Sequence, residues 1–335
     1  MPVQPNENGL YCERGGFYVD PWAPVERAIV THAHSDHACA GSRRYLTARP
    51  GKPLLRARVG PDAAIETLDY GESIALNGVR VSLHPAGHIP GSAQVRIECG
   101  GEVCVVSGDY KLEADPTCAP FEPVRCHTFF TEAAFGLPVF RWPRQAEVMA
   151  EIAAWWRANR QAGKASVLFA HAFGEAQRVL AGIDASAGPI FTHAAIARVN
   201  ELYGECGVAL PRTANVDEAP AGADWNHALI LAPPMISMSE WLRRFGAVST
   251  ALASGWMRIR GTRRRRSLDR GFVLSGHADW PQLMAAIEAT GAERIRITHG
   301  YRAPVVQWLQ EKGLDAAAVE TRFEADRDEV SGEEI

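Results

Sequence analysis

Histidine and aspartate residues are concentrated in one short segment near the start of the chain. The run THAHSDH places His32, His34, Asp36 and His37 directly after a short β-branched stretch. In an extended loop, residues two apart project the same way, so His32 and His34 can bind one cation while Asp36 and His37 turn toward a second. Such donors suit zinc, manganese or ferrous iron better than calcium or magnesium. The alternative is a polar, solvated loop, but chance would produce this pattern in about one chain in a thousand.

Three further candidate ligands follow short apolar runs. His88 lies in the Gly- and Pro-marked turn PAGHIPGSA, Asp109 ends the strand-like run VVSGDY, and His299 ends RITHGY. Each residue alone would more often be a hydrogen-bonded structural group. A carboxylate between two cations can bridge them, and two such cations can lower the pKa of a shared water toward neutrality. Asp109 is the candidate bridge, and the occurrence of all these residues together favours a two-metal centre.

Composition indicates an ordinary globular protein of 335 residues, with 47% apolar and 22% charged residues. The sequence contains no run of about 20 apolar residues that would predict a membrane span, and the first residues lack the pattern of a secretory signal. We therefore expect a cytoplasmic protein without a membrane partner. The seven cysteines are scattered and form no C-x-x-C pair, which argues against a disulfide framework or a thiolate zinc site.

The candidate ligands fall at the ends of predicted strands. In the first third of the chain these are RAIVTH, VRVSLHPAGH, AQVRIE, VCVVSGD and CHTFFTE. From about Arg144 the pattern changes to alternating helices and strands, which predicts an inserted domain. Strand patterns return in GFVLSGHADW and ERIRITHGY, separated by the helix PQLMAAIEATGA, and this last segment is expected to rejoin the first sheet. Because loops at strand ends converge on one rim, we expect the chemistry there.

Taken together, these segments resemble the metallo-β-lactamase superfamily. HAHSDH, AGHIPGSA and SGDY are similar to motifs two, three and four of that fold, and Asp20 in FYVDPW is similar to motif one. Glu132 in FFTEAAFG, His277 in LSGHADW and His299 in THGY resemble motifs A, B and C of its β-CASP nuclease branch. The resemblance spans nearly the whole chain.

The resemblance implies an α/β fold, a four-layer αββα sandwich with an inserted β-CASP α/β cap domain. The insertion fits residues 143–266, with the core formed by residues 1–142 and 267–335. It also implies a metal-dependent nuclease that hydrolyses phosphodiester bonds with a water activated between two divalent ions, Zn²⁺ and/or Mn²⁺.

Site roles follow from the same resemblance, residue by residue. Asp20 would orient a ligating imidazole. Asp36 would act in catalysis as a metal ligand, while Glu132 and His277 would form the pair that donates a proton to the leaving oxygen. The first metal would be held by His32, His34, His88 and Asp109, and the second by Asp36, His37, Asp109 and His299.

Within the branch, the run VVSGDYKLEADPTCAPFEPVRCHTFFTEAAFG is similar to that of DNA cross-link repair nucleases and of bacterial ligase-associated DNA exonucleases. This likeness implies a DNA exonuclease, acting 5′ to 3′ in DNA repair, with an ATP-dependent DNA ligase and a helicase as partners. Motif C is a histidine, His299, as in RNA-processing β-CASP enzymes, whereas DNA-acting eukaryotic members usually carry valine. An RNA-processing endo- or exoribonuclease is therefore the alternative.

Candidate phosphate contacts lie just before motif B. Although the net charge is −4, the run WMRIRGTRRRRSLDR carries seven arginines against one aspartate and could line a groove between core and cap. The alternative is a solvated basic loop. Trp256 and Trp280 flank this region, and the Ser275–Gly276 turn could bind a terminal phosphate. The arginines are Arg258, Arg260, Arg263, Arg264, Arg265, Arg266 and Arg270.

Two rival functions share this residue pattern. A small-molecule hydrolase of the same fold, such as a thioesterase or lactamase, would need neither an inserted domain nor the SGHAD segment. A catalytically dead scaffold that binds nucleic acid would not need every inferred ligand to be present. The remaining histidines are expected to be structural or exposed; they are His84, His127, His171, His193 and His227.

Overall fold

The computed structural model describes residues 1–220, 222–236, 240–259 and 268–322. These residues group into two units. One contains Met1–Phe140 together with residues 277–322, and the other contains the described residues of Arg141–Gly276.

The first sheet has six strands and lies near the start of the chain. Its strands follow one another in sequence order, antiparallel from β1 to β3 and parallel from β3 to β6. Helix α1 follows β5, and its Leu54 and Leu55 are buried. The elements are β1 Gln4–Asn6, β2 Gly9–Cys12, β3 Phe17–Val19, β4 Ala28–Ile29, β5 Tyr45–Ala48, α1 Lys52–Val59 and β6 Ile65–Leu68.

The second sheet has seven strands in the order β19-β18-β11-β10-β9-β8-β7. Strands β7 to β10 pair antiparallel, whereas β10, β11, β18 and β19 pair parallel, so their carboxyl ends meet at one edge. The strands are β7 Ser73–Leu76, β8 Val79–Pro85, β9 Ala93–Cys99, β10 Glu102–Val106, β11 Thr128–Ala133, β18 Arg294–Gly300 and β19 Asp315–Ala318. Two helices accompany them, α5 Trp280–Thr290 and α6 Arg302–Glu311.

Consecutive buried residues of β10 belong to different cores, and this explains the layering of the unit. Cys104 and Val106 pack with residues of the first sheet such as Phe17 and Ile29, and they form the core between the two sheets. Val105 points to the opposite face, where the apolar residues of α5 and α6 cover the second sheet. Because successive side chains of a strand point to opposite faces, the second sheet contributes residues to the core on each of its two faces. The α/β sandwich expected from the sequence is confirmed.

The third sheet belongs to the other unit, and all its strand pairs are parallel. Its order is β14-β13-β15-β12-β16-β17, with one apolar cluster on each face. The strands are β12 Ala165–Phe169, β13 Ile190–Thr192, β14 Ala214–Asn215, β15 Leu229–Ala232, β16 Val248–Ala253 and β17 Arg270–Phe272. The helices are α2 Gln145–Gln161, α3 Glu175–Gly182 and α4 Ala194–Glu205.

The strand expected in GFVLSGHADW pairs differently from the sequence expectation. Instead of joining a sheet formed by the N-terminal part of the chain, β17 pairs with β16 in the third sheet. The chain re-enters the first unit only at His277. The sequence had put this boundary at residue 267. The pairing partner of a three-residue strand is a long-range property that local pattern does not contain.

Among the described residues, no helix has the length and apolar character needed to cross a membrane.

Candidate metal centre

The predicted metal ligands converge at the carboxyl-end edge of the second sheet and at the loop after β4. His32, His34, His88 and Asp109 are all buried, and each offers one donor atom within 4.8 Å of the others. A second group of buried donors, with the same limit, consists of His37, Asp109 and His299. Asp109 belongs to both groups.

Donor spacing in the first group fits a tetrahedral cation. Nδ1 of His34 lies 3.2 Å from Nε2 of both His32 and His88. Oδ2 of Asp109 lies 3.4 Å from Nε2 of His32 and 4.0 Å from Nε2 of His88. Metal–ligand bonds of about 2.0–2.1 Å in a tetrahedron would separate neighbouring donors by roughly 3.3 Å. The residues present therefore fit a divalent ion such as zinc.

The second group uses the other oxygen of Asp109. Oδ1 lies 3.1 Å from Nε2 of His299 and 3.5 Å from Nε2 of His37. Asp36 lies beside this group, with its Oδ2 located 3.3 Å from Nε2 of His37. The two carboxylate oxygens of Asp109 thus face different donor groups, which is the arrangement of a bridging carboxylate.

Asp20 organises the loop that carries these histidines. Its Oδ2 accepts hydrogen bonds from Nδ1 of His37 at 2.7 Å and from the hydroxyl of Thr31 at 2.5 Å, while Oδ1 accepts the Thr31 N–H at 2.7 Å. Asp20 adopts a positive φ of 43°, a conformation that only a few residue types tolerate. Holding Nδ1 of His37 leaves Nε2 directed at Asp36 and Asp109.

The turn before Asp109 requires a glycine. Gly108 has a φ of 57°, and a Cβ atom at this position would lie 2.5 Å from Oγ1 of Thr31. A side chain would therefore separate the Asp109 turn from the His32 loop. The His88 loop is closed in another way, because Oγ of Ser92 accepts the backbone N–H groups of His88 and Ile89 at 3.0 and 3.3 Å.

Glu132 and His277 form a hydrogen-bonded pair beside this centre. Oε2 of Glu132 lies 3.0 Å from Nδ1 of His277, and Oε1 accepts the backbone N–H of Tyr110 at 2.8 Å. Glu132 is 1% exposed, whereas the His277 side chain retains 15% of its exposure. Donor atoms of Asp109, Glu132 and His277 also lie within 4.8 Å of one another. The pair can hold a proton next to the carboxylate that both donor groups share.

The buried charges shift the pKa values of several groups in the metal-free protein. Burial lowers the pKa of His88 well below its usual range, and the neighbouring imidazoles of His277 and His34 add to this effect. Burial alone would also lower the pKa of His37, but the carboxylates of Asp36 and Asp109 outweigh it and raise that pKa well above its ordinary value.

The pKa values of the Asp109 and Asp36 carboxyl groups are both lowered. Burial favours a raised pKa for Asp109, yet the charges of His37 and His277 hold it well below its usual value. The pKa of Asp36 is likewise lowered, because His37 outweighs the effect of burial. Both carboxylates are therefore ionised and ready to act as ligands at neutral pH.

The predicted substrate contacts are only partly described. Arg258 is exposed at the end of the 3₁₀ helix Gly255–Arg258, whereas Arg270 forms a 3.4 Å ion pair with Glu151. Ser275 and Gly276 directly precede His277 and are buried. Arg260, Arg263, Arg264, Arg265 and Arg266 lie outside the described residues. Their role in phosphate binding stays a prediction.

The two tryptophans considered for base stacking pack against apolar clusters. Trp280 is buried at the start of α5, and Trp256 is half-buried against the core on one face of the third sheet. Two other histidines have structural contacts, since Nδ1 of His127 accepts the Val103 N–H and Nδ1 of His193 accepts the Ala195 N–H at the start of α4. These contacts agree with the structural roles expected for His127 and His193.

Sequence reasoning missed the groups that orient the histidines. Thr31 and Thr298 each place a hydroxyl against Nδ1 of the histidine that follows, at 3.1 Å for His32 and 2.9 Å for His299. The available signal was the dipeptide Thr-His, which ends both RAIVTH and RITHGY. The backbone contact from Tyr110 to Glu132 left no signal in the sequence.

Comparisons with known proteins find relatives that are named as nucleases or for DNA repair, and one that is named as a DNA ligase. The chain is 31% identical over 314 residues to a protein of Opitutus terrae named Probable DNA ligase, covering 93% of this chain and 30% of that protein. It is 26% identical to Endoribonuclease YSH1 of Yarrowia lipolytica, covering 44% of this chain and 26% of the relative. It is also 26% identical to the DNA cross-link repair 1A protein of Gallus gallus, covering 36% and 13%.

The chain therefore spans less than a third of the length of each of these three relatives. No protein-family model matches it. The crystal structure of a protein of unknown function from Enterococcus faecalis V583 has the same fold, with a TM-score of 0.59 at 12% identity over 89% of this chain and 80% of that one. Motifs, layered fold and relatives are all consistent with a nuclease of the metallo-β-lactamase superfamily, in its β-CASP branch.

Proposed function

We propose that this chain is a metal-dependent nuclease that hydrolyses phosphodiester bonds. The observation that carries the proposal is the position of Asp109, whose two oxygens face two separate groups of buried donors. A small-molecule hydrolase would not need the Glu132–His277 pair that lies beside this carboxylate. A nucleic-acid-binding scaffold would not need buried, ionised ligands, because their burial costs stability unless a cation or partner offsets it.

Two divalent ions are the proposed cofactors, with zinc and manganese as candidates. His32, His34, His88 and Asp109 would hold one, and Asp36, His37, Asp109 and His299 the other. When bound, such a pair lowers the pKa of a shared water and stabilises negative charge on a phosphate. Asp20 would keep His37 aimed throughout, because its carboxylate accepts the hydrogen of Nδ1.

His277 is the proposed proton donor to the leaving oxygen. Its Nδ1 is held by Glu132, which leaves Nε2 as the only ring nitrogen that can deliver a proton elsewhere. The partial exposure of this ring permits contact with a substrate, whereas Glu132 is fully covered. Glu132 would keep the imidazole charged and oriented, a role typical of a carboxylate behind a catalytic histidine.

DNA is the substrate that the relatives favour. The relative aligned over 93% of this chain carries the name of a DNA ligase, and another is named for DNA cross-link repair. We propose 5′ to 3′ exonuclease action in DNA repair, with an ATP-dependent DNA ligase as a partner. A helicase partner and a cytoplasmic location rest on the sequence resemblance and composition alone.

RNA is the second candidate substrate, and two observations favour it. Motif C is His299, as in the RNA-processing members of the branch. Several relatives are named Endoribonuclease YSH1, although the aligned part of this chain is shorter, between 22% and 44%.

The test compares end-labelled DNA and matched RNA, each incubated with the purified protein and zinc or manganese. Mononucleotides from DNA alone are expected, and an Asp36→Ala variant should produce none. Internal RNA fragments would assign the protein to the second candidate. Faster degradation of a 5′-phosphorylated linear strand than of a circular one is expected for an exonuclease, whereas equal rates would indicate an endonuclease.

A further inference from the structure

The hydroxyl of Thr298 lies between a backbone carbonyl and a ring nitrogen of His299. Oγ1 of Thr298 lies 3.2 Å from the carbonyl oxygen of Thr131 and 2.9 Å from Nδ1 of His299. A carbonyl only accepts, and a hydroxyl has one hydrogen to donate. When that hydrogen goes to Thr131, the hydroxyl oxygen must accept from the Nδ1–H of His299. Nε2, 3.1 Å from Oδ1 of Asp109, then offers its lone pair to a cation bound between these two atoms.

Thr31 makes the same arrangement at the other donor group. Its hydroxyl donates to Oδ2 of Asp20 at 2.5 Å, and an ionised carboxylate only accepts. The same hydroxyl oxygen lies 3.1 Å from Nδ1 of His32 and must accept its hydrogen. Nε2 of His32, 3.4 Å from Oδ2 of Asp109, then offers its lone pair to a cation bound between these two atoms.

The two threonines are buried and belong to different strand ends, so the arrangement is built twice. Thr31 follows β4, and Thr298 lies in β18. In each case an acceptor behind the hydroxyl, a carboxylate or a carbonyl, can take its hydrogen and leave its oxygen to accept from Nδ1–H of the ring. The nitrogen that binds a metal is set by the hydrogen bond of the other ring nitrogen.

We propose that Thr31 and Thr298 are positioning residues that hold His32 and His299 in the Nδ1–H tautomer. Each ring thereby presents Nε2 to the cation site on its side of Asp109. This inference rests on the metal centre of the proposed function, and it concerns neither the substrate nor the reaction.

Valine and serine substitutions separate the hydroxyl from the shape of the side chain. Thr298→Val keeps the β-branch and removes the hydroxyl, whereas Thr298→Ser keeps the hydroxyl. Thr31→Val and Thr31→Ser form the second pair. Thr290→Val is the matched control, because the buried Thr290 hydroxyl likewise donates to a carbonyl, that of Ile287 at 2.7 Å, but accepts from the backbone N–H of Ala292 and not from a ring nitrogen.

The first readout is the tautomer of each ring in the ¹⁵N-labelled, zinc-loaded protein, because without a cation the ionised Asp109 carboxylate would itself draw a hydrogen to Nε2. Long-range ¹H–¹⁵N spectra should show Nδ1–H for His32 and His299, with assignments from His32→Asn and His299→Asn variants. Thr298→Val should lose this pattern for His299 only, and Thr298→Ser and Thr290→Val should retain it. An Nε2–H pattern for either ring in the wild-type protein would overturn the proposal, even if the valine variants failed to fold.

The second readout is the affinity for Zn²⁺ or Mn²⁺ in a calorimetric titration. Each valine variant should weaken one of two binding steps by about 10- to 100-fold, as is usual when a partner of a ligating histidine is removed. Folded valine variants with wild-type tautomers and affinities would refute the role. If both readouts are as expected but the wild-type protein cleaves no nucleic acid, the result counts only against the proposed nuclease function.

Discussion

Oδ1 of Asp109 lies 3.1 Å from Nε2 of His299, although the two residues come from strands that are not neighbours. Asp109 follows β10 and His299 lies in β18, with β11 between them. These three strands run parallel, so their carboxyl ends meet at one edge and bring Asp109, Glu132 and His299 together. The parallel half of the second sheet is therefore what assembles the centre.

Substitution of the shared carboxylate should affect both donor groups. Asp109→Asn is expected to lower the metal content below two ions per chain and to reduce nuclease activity by more than about 100-fold, beyond the usual effect of a group that only orients a ligand. Metal analysis and the end-labelled assay check this. Asp69→Asn is the control, because Asp69 forms an exposed ion pair with Arg49. Two bound ions in Asp109→Asn would contradict the bridging role.

The Glu132–His277 pair should affect catalysis without changing metal content. His277→Ala and Glu132→Gln are each expected to reduce kcat by about 10²–10⁴-fold, the usual contribution of a general acid. Because neither residue belongs to the two proposed ligand sets, both variants should bind two ions. Loss of metal from either variant would instead make the pair part of the metal site.

Asp20→Asn tests the contact that aims His37. Asparagine tolerates the positive φ at this position, so the backbone should be retained. Oδ2 of Asp20 accepts two hydrogen bonds, and an amide nitrogen there would oppose a donor. We expect metal affinity to fall by about 10- to 100-fold. Wild-type affinity in a titration would show that Asp20 does not support the ligand.

Metal binding should release a proton at pH 7. The pKa of His37 is raised well above its usual value in the metal-free protein, because Asp36 and Asp109 outweigh the effect of burial. Its ring is then charged at neutral pH, and a cation at Nε2 must displace about one proton. His88, with its lowered pKa, is already neutral and contributes none.

Calorimetry in two buffers of different ionisation enthalpy measures this release. The heat of binding should depend on the buffer, and affinity should weaken as the pH falls through neutrality, because His37 is protonated at every pH below its raised pKa. A buffer-independent heat at pH 7 would mean that His37 is neutral before the cation arrives.

Much of the fold could be predicted from the sequence where elements were long. The helix predicted near Arg144 is observed as α2, Gln145–Gln161, and ERIRITHGY forms β18. Strands of two to four residues, such as β4 and β17, carry too few residues for a periodic signal, and their partners are set by tertiary contacts. For that reason the pairing of β17 with the third sheet differed from the expectation.

For the candidate site, too, the sequence predicted some features and not others. Residue types and spacing singled out His32, His34 and Asp109, because a dense histidine motif is rare without a chemical role. Spacing does not contain the orientation of a ring, so the hydroxyls of Thr31 and Thr298 emerged only from the structure. The division into the two units at residues 141 and 277 likewise depends on long-range pairing.

Locating the bound ions in a crystal is the most direct test of the two-metal centre. Crystals grown with Mn²⁺ and measured at the manganese absorption edge should give two anomalous peaks about 3.5–4 Å apart. One should lie among His32, His34 and His88, the other beside His37 and His299, with Asp109 contacting both. A single peak, or a pair of peaks without Asp109 between them, would contradict the two-metal centre.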